Sequence, residues 1–421
     1  MLGLGSALTT SSTKEQLYSL GELDGTDDYL HLGVVPGVKG LRDMTVSAWV
    51  KTNEASLGNF DRIVSCDGGT GNAIWRLFVS SDSGNKGVIW NCFNGDGDSI
   101  GLLTTSDVWG TGGNDDKWVH VVARIDASAS PKTSMFINGG TPTTSTANQS
   151  DEDMRNEAAT QLSIGAQGNG GNYWFPGFID DVAIWNVPLS NNAVDAVYNG
   201  GKPFDLNNNR GDYSNSSALV GYWRMGNGTN DDKANGVVFD QTASTIGSNI
   251  VPESSFEAVT TWTAVTASGS TSALDTSFSH SGSNSWKLVV DGTDENLGVI
   301  SDAITVEANT AYKISWWSYV PSANNSKYVQ VSGTSSGDDW HRLGDTQNHN
   351  GETIPGDVWT QSTFYFVTAG GTDLQIKLTN GAASGNNGDV RYFDDIELVK
   401  IGGNPGITAA DATFSADTPD D

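Results

Sequence analysis

Carboxylates and aromatic rings are the side chains of this sequence that could bind or transform a ligand. The chain carries 50 acidic and 22 basic residues, a formal net charge of −28, together with 14 Trp, 11 Tyr and 14 Phe. No G-x-S-x-G elbow, P-loop, H-E-x-x-H motif or Cys/His zinc spacing accompanies them. The sequence therefore predicts a non-enzymatic protein. Its charge serves either to keep a β-rich surface soluble or to bind cations.

One strand of alternating residues separates aromatic side chains into two sets. A period of two puts Tyr312, Ile314 and Trp316 on one face, which we expect to pack in a core. The other face carries Trp317 and Tyr319 beside polar residues. These two rings are the first candidates for an exposed aromatic surface.

The elements that would position such side chains are mostly short strands. Short apolar runs recur between clusters of Gly, Asn, Asp and Ser, and 51 of the 421 residues are Gly, a pattern typical of an all-β sandwich or barrel. Residues 178–185 are predicted to form a buried strand. A single helix is then expected to begin after Ser190, dock one apolar face on the sheet and stop at Gly200.

Four motifs in chain order resemble those of laminin G-like domains, which are concanavalin A-like jelly rolls. They lie in residues 23–30, 44–51, 118–139 and 174–201. The resemblance covers about residues 21–201 and implies a first jelly roll. Residues 202–246 are expected to finish this domain with a returning edge strand along 219–225.

A second series of motifs resembles the carbohydrate-binding modules of families four and nine. It comprises residues 251–262, 281–288, 304–317, 359–366, 374–378 and 392–399. The resemblance covers about residues 252–401 and implies a second jelly roll, with Trp262, Trp286 and Trp359 at core positions.

The whole chain is therefore predicted to be all-β, with two jelly-roll β-sandwich domains in tandem and one short helix after the closing strand of the first. The predicted divisions are an N-terminal arm, a laminin G-like domain, a carbohydrate-binding-module-like domain and an acidic C-terminal tail, at residues 1–20, 21–250, 251–402 and 403–421. The tail could not form a core alone. It would be the end of a linker or a strap that folds onto a neighbour.

The resemblance to carbohydrate-binding modules implies a sugar site. Flat aromatic rings pack against the C–H groups of a sugar while amides, carboxylates or guanidinium groups bind its hydroxyls. Trp317 and Tyr319 could form such a platform, extended by Tyr328 and Gln330 on the following strand. A Gly/Asp-rich loop offers a second set, Trp340 and Arg342.

Calcium is the cofactor that the resemblance implies for the second domain. The ion would join the first and last strands through Glu257 and Asp395, since carboxylate oxygens suit Ca²⁺. In the first domain Asp24, Asp28 and Asp180 are further metal candidates. Hydrogen bonding that fixes a turn and a strand crossing explains them equally well.

The resemblance to concanavalin A-like jelly rolls also implies glycoside hydrolysis as an alternative activity, because this fold also occurs in glycoside hydrolases. Such enzymes place two carboxylates on one strand in the spacing E-x-D-x-x-E. The nearest match, residues 22–27, ends in Asp, and the run at 152–157 lacks the central Asp. A hydrolase is therefore the third interpretation, behind two forms of glycan-binding protein.

The two cysteines, Cys66 and Cys92, both fall in predicted strands. Adjacent strands could bring them within bridging distance. The alternative is two buried thiols in a protein that folds in a reducing cytoplasm.

Charge and hydropathy exclude two classes of partner. Nucleic acids are bound through lysine and arginine side chains that release counterions, and this chain is strongly acidic. No window approaches the roughly 20 apolar residues that a membrane span needs. We therefore expect neither nucleic acid nor membrane as a partner.

Residues 1–10 have no basic region and no continuous apolar region, so they do not read as a secretory signal. Domains of an extracellular type without such a signal fit a virion protein, which is made in the host cytoplasm. A short Gly/Ser/Leu opening followed by a laminin G-like domain also resembles structural proteins of marine tailed bacteriophages. The leading hypothesis is a non-enzymatic virion surface protein, a capsid decoration or a tail appendage, that contacts other virion proteins, adheres to glycans and could form a homotrimer. The alternative is a secreted or cell-surface bacterial glycan-binding protein linked to polysaccharide degradation.

Overall fold

The computed structural model describes residues 17–68, 71–80, 86–105, 107–168, 170–292, 296–334, 341–342, 349–368, 372–381 and 388–419. Within these residues the chain forms 28 strands and one α-helix, and every strand pair is antiparallel. Four three-residue 3-10 turns lie at Pro36–Val38, Gly110–Gly112, Ser216–Ala218 and Lys233–Asn235. The predicted all-β class with one short helix is confirmed.

The first domain contains the strands up to residue 238. They are β1 Ser19–Asp24, β2 Tyr29–Gly33, β3 Met44–Thr52, β4 Arg62–Asp67, β5 Ala73–Val79, β6 Val88–Phe93, β7 Ser99–Thr104, β8 Lys117–Ile125, β9 Thr133–Ile137, β10 Thr143–Ser145, β11 Leu162–Ile164, β12 Pro176–Trp185, β13 Leu219–Trp223 and β14 Val237–Val238. The predicted returning edge strand is β13, which pairs with β12.

The second domain contains the strands from residue 262 to residue 400. They are β15 Trp262–Val265, β16 Thr271–Asp275, β17 Ser285–Val289, β18 Gly298–Ser301, β19 Ile304–Thr305, β20 Ala311–Tyr319, β21 Tyr328–Thr334, β22 His341–Arg342, β23 His349–Thr353, β24 Thr360–Val367, β25 Asp373–Thr379 and β26 Val390–Lys400. Two strands follow it, β27 Gly406–Ala409 and β28 Thr413–Ser415.

Each domain is a two-sheet sandwich over an apolar core. Sheet A has the order β10-β9-β8-β3-β12-β1-β28, with β13 beside β12, and sheet B has the order β14-β27-β2-β11-β4-β5-β6-β7. Sheet C has the order β15-β18-β25-β21-β23, with β19 beside β25, and sheet D has the order β16-β17-β26-β20-β24-β22. One core cluster fills the first sandwich and a second fills the other.

The single helix, α1, spans Asn191–Tyr198 and lies on the outer face of sheet A. Ser190 caps it by accepting a 3.1 Å hydrogen bond from the backbone N–H of Ala193. Asn199 ends it in the left-handed conformation, one residue before the predicted stop at Gly200. Its apolar face packs against Trp185 in a separate buried cluster.

The closing strands of both domains share one irregularity. β12 and β26 each contain two consecutive aspartates, and the second of each pair, Asp181 or Asp395, has a positive φ of 42° or 43°. In both, the first aspartate, Asp180 or Asp394, accepts a 2.8 Å hydrogen bond from the N–H of the second. The register of the neighbouring ladder shifts at the same place, so each pair forms a β-bulge.

The C-terminal segment differs from the predicted acidic tail, because it completes the first domain. We call residues 403–419 the C-terminal strap. Its strand β27 pairs with β2 and β14 in sheet B, and its strand β28 pairs with β1 in sheet A. Phe414 packs against the first core. The first domain is therefore built from two separate parts of the chain, with the second domain inserted between them.

The N-terminal arm was predicted to extend to residue 20, but Ser19 and Leu20 already belong to β1. Leu20 is fully buried in the first core, which explains why the strand starts there. Residues 1–16 lie outside the described residues.

The two domains share a small apolar contact. Phe239 and Tyr365 meet edge to face with ring centroids 6.4 Å apart, and the hydroxyl of Tyr365 donates a 2.8 Å hydrogen bond to Asp232. A cluster of buried residues from both domains, including Val237 and Ile401, surrounds this pair.

The cysteines are free and buried. Cys66 lies on β4 and Cys92 on β6, and both are in register with Trp75 on the strand between them. Two strand spacings separate the thiols by about 10 Å, which rules out a disulfide. Burial raises the pKa of the Cys66 thiol to about 12.

No helix among the described residues has both the length and the apolar character that a membrane crossing requires.

Candidate functional site

Six aromatic side chains cluster on the outward face of sheet D, and we call this cluster the aromatic surface. Its members are Phe278, His280, Trp317, Tyr319, Trp359 and Tyr392. All six are partly exposed. They come from the β16–β17 loop, β20, the residue before β24, and β26. The alternation predicted for β20 accounts for two of them, since Trp316 is fully buried while Trp317 and Tyr319 face outward.

The rings contact one another in two groups. The imidazole of His280 lies parallel to the indole of Trp317, with centroids 3.8 Å apart. Phe278 stacks on Trp359 at 5.5 Å. Tyr319 packs against Phe278 at 4.7 Å and against Trp359 at 5.7 Å. The edge-to-face contact of His280 with Trp359, at 5.6 Å, joins the two groups into one patch. Such a patch can receive the C–H face of a ligand.

The aspartate bulge of β26 holds the loop that carries His280. The buried Asp394 accepts hydrogen bonds from the backbone N–H groups of His280 and Ser281, at 2.8 and 3.2 Å. Asp395 accepts from the imidazole of His280 at 2.6 Å and from the hydroxyl of Ser281 at 2.8 Å. Burial raises the pKa of the Asp394 carboxyl to about 6. The bulge thus fixes the position of His280 against Trp317.

Polar groups border the rings. The ammonium group of Lys287 lies 5.4 Å from the centre of the Tyr392 ring and 3.4 Å from Asp275. The hydroxyl of Tyr319 donates a 3.3 Å hydrogen bond to the exposed Asp357. Lys287, Asp275 and Asp357 can therefore bind hydroxyl groups beside an apolar ligand face.

The other predicted sugar-binding residues do not join this surface. Tyr328 and Gln330 lie on β21 in sheet C, on the opposite side of the sandwich, and the alternate β21 residues Val329 and Val331 point into the core. The single platform expected from the sequence is therefore not formed, because β20 and β21 belong to different sheets. Arg342 is part of the short strand β22 at the edge of sheet D, and Trp340 lies outside the described residues.

Sequence reasoning misplaced Trp359 and missed three other members of the aromatic surface. Trp262 and Trp286 are buried in the second core as predicted, whereas Trp359 is partly exposed on the outer face. Phe278 and His280 lie in a loop, where alternation gives no signal. Tyr392 was obscured because its neighbour Arg391 is fully buried, so the strand does not alternate polar with apolar residues.

Glu257 and Asp395, the calcium ligands expected in the second domain, bind the same loop. Glu257 accepts hydrogen bonds from the backbone N–H groups of Ser283 and Asn284, at 2.7 and 3.0 Å. Asp395 binds the other end of that loop, at His280 and Ser281. Both carboxylates therefore join the first and last segments of the second domain through residues 280–284.

The metal candidates of the first domain are only partly brought together. Asp24 and Asp28 lie side by side in the β1–β2 turn, and the third carboxylate there is Asp27. Asp180 instead belongs to the β12 bulge, where it accepts from the N–H of Asp181. The alternative stated for Asp180 was hydrogen bonding that fixes a strand crossing, and the hydrogen bond found here fixes a bulge within β12 instead.

A Ser–His pair is buried beneath α1. The hydroxyl of Ser47 lies 2.8 Å from Nε2 of His120, a distance typical of a nucleophile and its base. Ser47 is 1% exposed and His120 is 0% exposed. The imidazole packs against Trp49 and Tyr198, with ring centroids 4.7 and 5.9 Å away, and these two rings also contact each other at 5.7 Å. Burial lowers the pKa of His120 to about 3, so the pair is part of the packed interior.

The chain matches two protein families in the order that the motifs predicted. Residues 24–195 match the family described as concanavalin A-like lectin/glucanases superfamily. Residues 248–383 match the family described as carbohydrate binding domain. These two matches agree, in order and position, with the laminin G-like and carbohydrate-binding-module resemblances of the sequence motifs. Among curated proteins, none matches it.

Several solved structures are similar to parts of the chain. One, titled as a study of family 4 carbohydrate-binding module structure and function, is 15% identical over 36% of this chain and 99% of that chain, with a TM-score of 0.27. The CBM22-1 xylan-binding domain of Xyn10C from Paenibacillus barcinonensis is 14% identical over 38% and 94%, with a TM-score of 0.23. A putative carbohydrate binding protein from Bacteroides ovatus is 16% identical over 54% and 56%, with a TM-score of 0.36.

Proposed function

We propose that this chain is a non-catalytic glycan-binding protein whose second domain binds carbohydrate on the aromatic surface. The observation that carries the proposal is the patch of six partly exposed rings on one face of sheet D. An apolar patch bordered by Lys287, Asp275 and Asp357 has the two components that sugar recognition needs. The family match of the second domain supports the same proposal.

Glycan arrays followed by calorimetry test this proposal. Trp317→Ala and Trp359→Ala should each weaken binding of the best array ligand by about 2- to 10-fold, because one aromatic contact contributes about 0.5–1.5 kcal/mol. Tyr328→Ala is the matched control, since it removes one partly exposed ring from the opposite sheet. A blank array, or loss of binding in Tyr328→Ala alone, contradicts the proposal.

We further propose that the chain is displayed on a phage virion, as a capsid decoration or a tail appendage. The two buried thiols support this location, because a protein that folds in a reducing host cytoplasm keeps its cysteines free. The acidic surface, with a net charge of −28, would limit association between displayed copies. The competing proposal is a secreted or cell-surface bacterial protein that binds polysaccharide.

Mass spectrometry of purified particles separates these two locations. A virion protein should co-sediment with particles at a copy number in fixed ratio to the major capsid protein. Recovery only from the culture supernatant or from cells would support the bacterial alternative.

For the second domain we propose a structural Ca²⁺ ion held by Glu257 and Asp395. The donor set suits the ion, since both groups are carboxylates and both contact residues 280–284. When bound, the ion would neutralise charge and strengthen the link between the two terminal segments of the domain. Calcium should then raise the unfolding temperature of the second domain, and Asp395→Asn should remove that effect.

A further inference from the structure

Three carboxylates converge in the turn between β1 and β2. One oxygen atom from each of Asp24, Asp27 and Asp28 lies within 4.8 Å of the others. The hydrogen bonds described for this turn leave some of these oxygens free. Asp24 accepts from the N–H of Thr26, and Asp28 accepts from the N–H of Asp24.

Asp28 is the unusual member, because it is buried. Its side chain is 2% exposed, and its Oδ2 accepts the 3.1 Å hydrogen bond from Asp24. Its other oxygen, Oδ1, is enclosed by protein and has no hydrogen-bond donor among the described residues. A buried carboxylate oxygen without a donor costs free energy unless a cation or a proton satisfies it.

A fourth carboxylate reaches this cluster from the far end of the chain. Asp411 lies in the turn between β27 and β28 of the C-terminal strap, and this turn is next to the β1–β2 turn because Ala409 pairs with Tyr29 and Thr413 pairs with Gly21. Two neighbouring carboxylates offer only acceptors to each other. A positive charge between them would turn this repulsion into attraction.

We propose that Asp24, Asp27, Asp28 and Asp411 form a divalent-cation site that fastens the C-terminal strap to the first domain. The donors are all carboxylate oxygens, which favours Ca²⁺ over zinc or copper. This site is separate from the proposed Glu257–Asp395 site and does not depend on glycan binding.

The site would act where the strap crosses from one sheet to the other. The turn at Asp411 connects β27 in sheet B to β28 in sheet A, and the turn at Asp24 to Asp28 connects β2 and β1 in the same two sheets. An ion shared by the two turns links strands that are almost 400 residues apart in sequence. Because the ion binds only when the strap is docked, it stabilises the docked state.

Hydrogen exchange of the intact protein, first freed of metal with EDTA, tests the proposal. Adding Ca²⁺ should slow amide exchange in residues 406–415 at least about tenfold. In Asp411→Asn the slowing should be lost, since Asp411 is exposed and its replacement leaves the strap sequence otherwise intact. Asp27→Asn, also at an exposed position, serves as a second variant should the first fail to fold.

Asp395→Asn is the control that separates the two proposed calcium sites. It should keep the full calcium effect on residues 406–415 and lose only the effect on the second domain. Two outcomes overturn the proposal. One is unchanged exchange of the strap on adding Ca²⁺ to the unsubstituted protein. The other is a full calcium effect on residues 406–415 in both Asp411→Asn and Asp27→Asn, which would mean that these carboxylates do not hold the ion.

Discussion

His120 shows how one side chain makes the first domain sensitive to acid. The imidazole is fully buried against two aromatic rings, and burial lowers its pKa to about 3 from the ordinary value of 6.5. The unfolded chain therefore binds a proton at a pH where the folded chain does not. The stability that neutral His120 contributes is complete above pH 6.5 and is lost as the pH falls from there toward 3.

We predict that His120→Gln flattens the pH dependence of unfolding. Between pH 7 and pH 5 the unsubstituted protein should lose about 2 kcal/mol relative to the variant, at about 1.4 kcal/mol per pH unit below 6.5. Asp181 lines the same buried space, but it and the other carboxylates are present in both proteins, so their contributions largely cancel. Urea unfolding at the two pH values measures the difference. Parallel pH profiles would show that His120 is not the acid-sensitive group.

At the aromatic surface, individual residues could be predicted only where they lie on a strand, because successive side chains of a strand point to opposite faces of the sheet. Trp317 and Tyr319 followed from the alternation of β20, and the burial of Trp316 confirms that alternation. His280 comes to lie on Trp317 through hydrogen bonds from a loop to a strand more than 100 residues later. Neither composition nor periodicity specifies which loop folds over which strand.

Among the secondary-structure elements, the closing strand β12 contains a β-bulge whose aspartate side chain is hydrogen-bonded to neighbouring residues. Asp181, in the bulge, is 5% exposed and accepts hydrogen bonds from the hydroxyl of Tyr222 at 2.7 Å and from Arg224 at 3.3 Å. A bulge with a positive φ suits Asp or Asn better than residues without a short polar side chain. The repeated aspartate pair therefore serves both backbone geometry and packing.

We predict that Asp181→Ala lowers the free energy of unfolding by about 3 kcal/mol, because it leaves Arg224 without its carboxylate partner and Tyr222 with only its longer hydrogen bond to the Phe204 carbonyl. Asp181→Asn should cost only about 1 kcal/mol, since the amide oxygen still accepts from Tyr222. Asp212→Asn, at an exposed position, is the control. Denaturant titration of the three variants checks this order, and equal stabilities for the Ala and Asn variants would contradict it.

The loop 280–284 contains a glycine at a position where a larger residue would collide with the Glu257 side chain. Gly282 has a φ of +57°, and a Cβ atom there would lie 2.3 Å from the Glu257 carboxylate. We predict that Gly282→Ala displaces this loop and weakens glycan binding at Trp317 without unfolding the domain. Calorimetric titration gives the affinity, and circular dichroism checks the fold. Unchanged affinity in a folded variant would mean that the loop does not shape the binding surface.

For the whole molecule, the C-terminal strap is the feature that sequence analysis described least well. Its composition is poor in apolar residues, and isolated it could not form a core. The strap is ordered by strand pairing with β1 and β2 and by the contact of Phe414 with the first core. Such pairing over nearly the full chain length leaves no local signal, whereas both sandwich classes could be predicted from their own motifs.

We predict that deleting residues 403–421 destabilises the first domain selectively. The deletion removes one strand from each of its sheets and exposes Leu30 and Leu32, which the backbone of Gly406 covers. The cost should exceed about 3 kcal/mol for the first domain. Differential scanning calorimetry should show one transition moving to lower temperature and the second-domain transition nearly unchanged. Two unchanged transitions would show that the strap adds nothing to the first domain.

Tryptophan indole N–H resonances test most directly whether glycan binds to the aromatic surface of the second domain. Titrating the best array ligand should shift the signals of Trp317 and Trp359, while those of the buried Trp262 and Trp286 stay in place. Substitution of each tryptophan in turn assigns the signals. Binding that leaves Trp317 and Trp359 unshifted would contradict the claim and place the site elsewhere on the molecule.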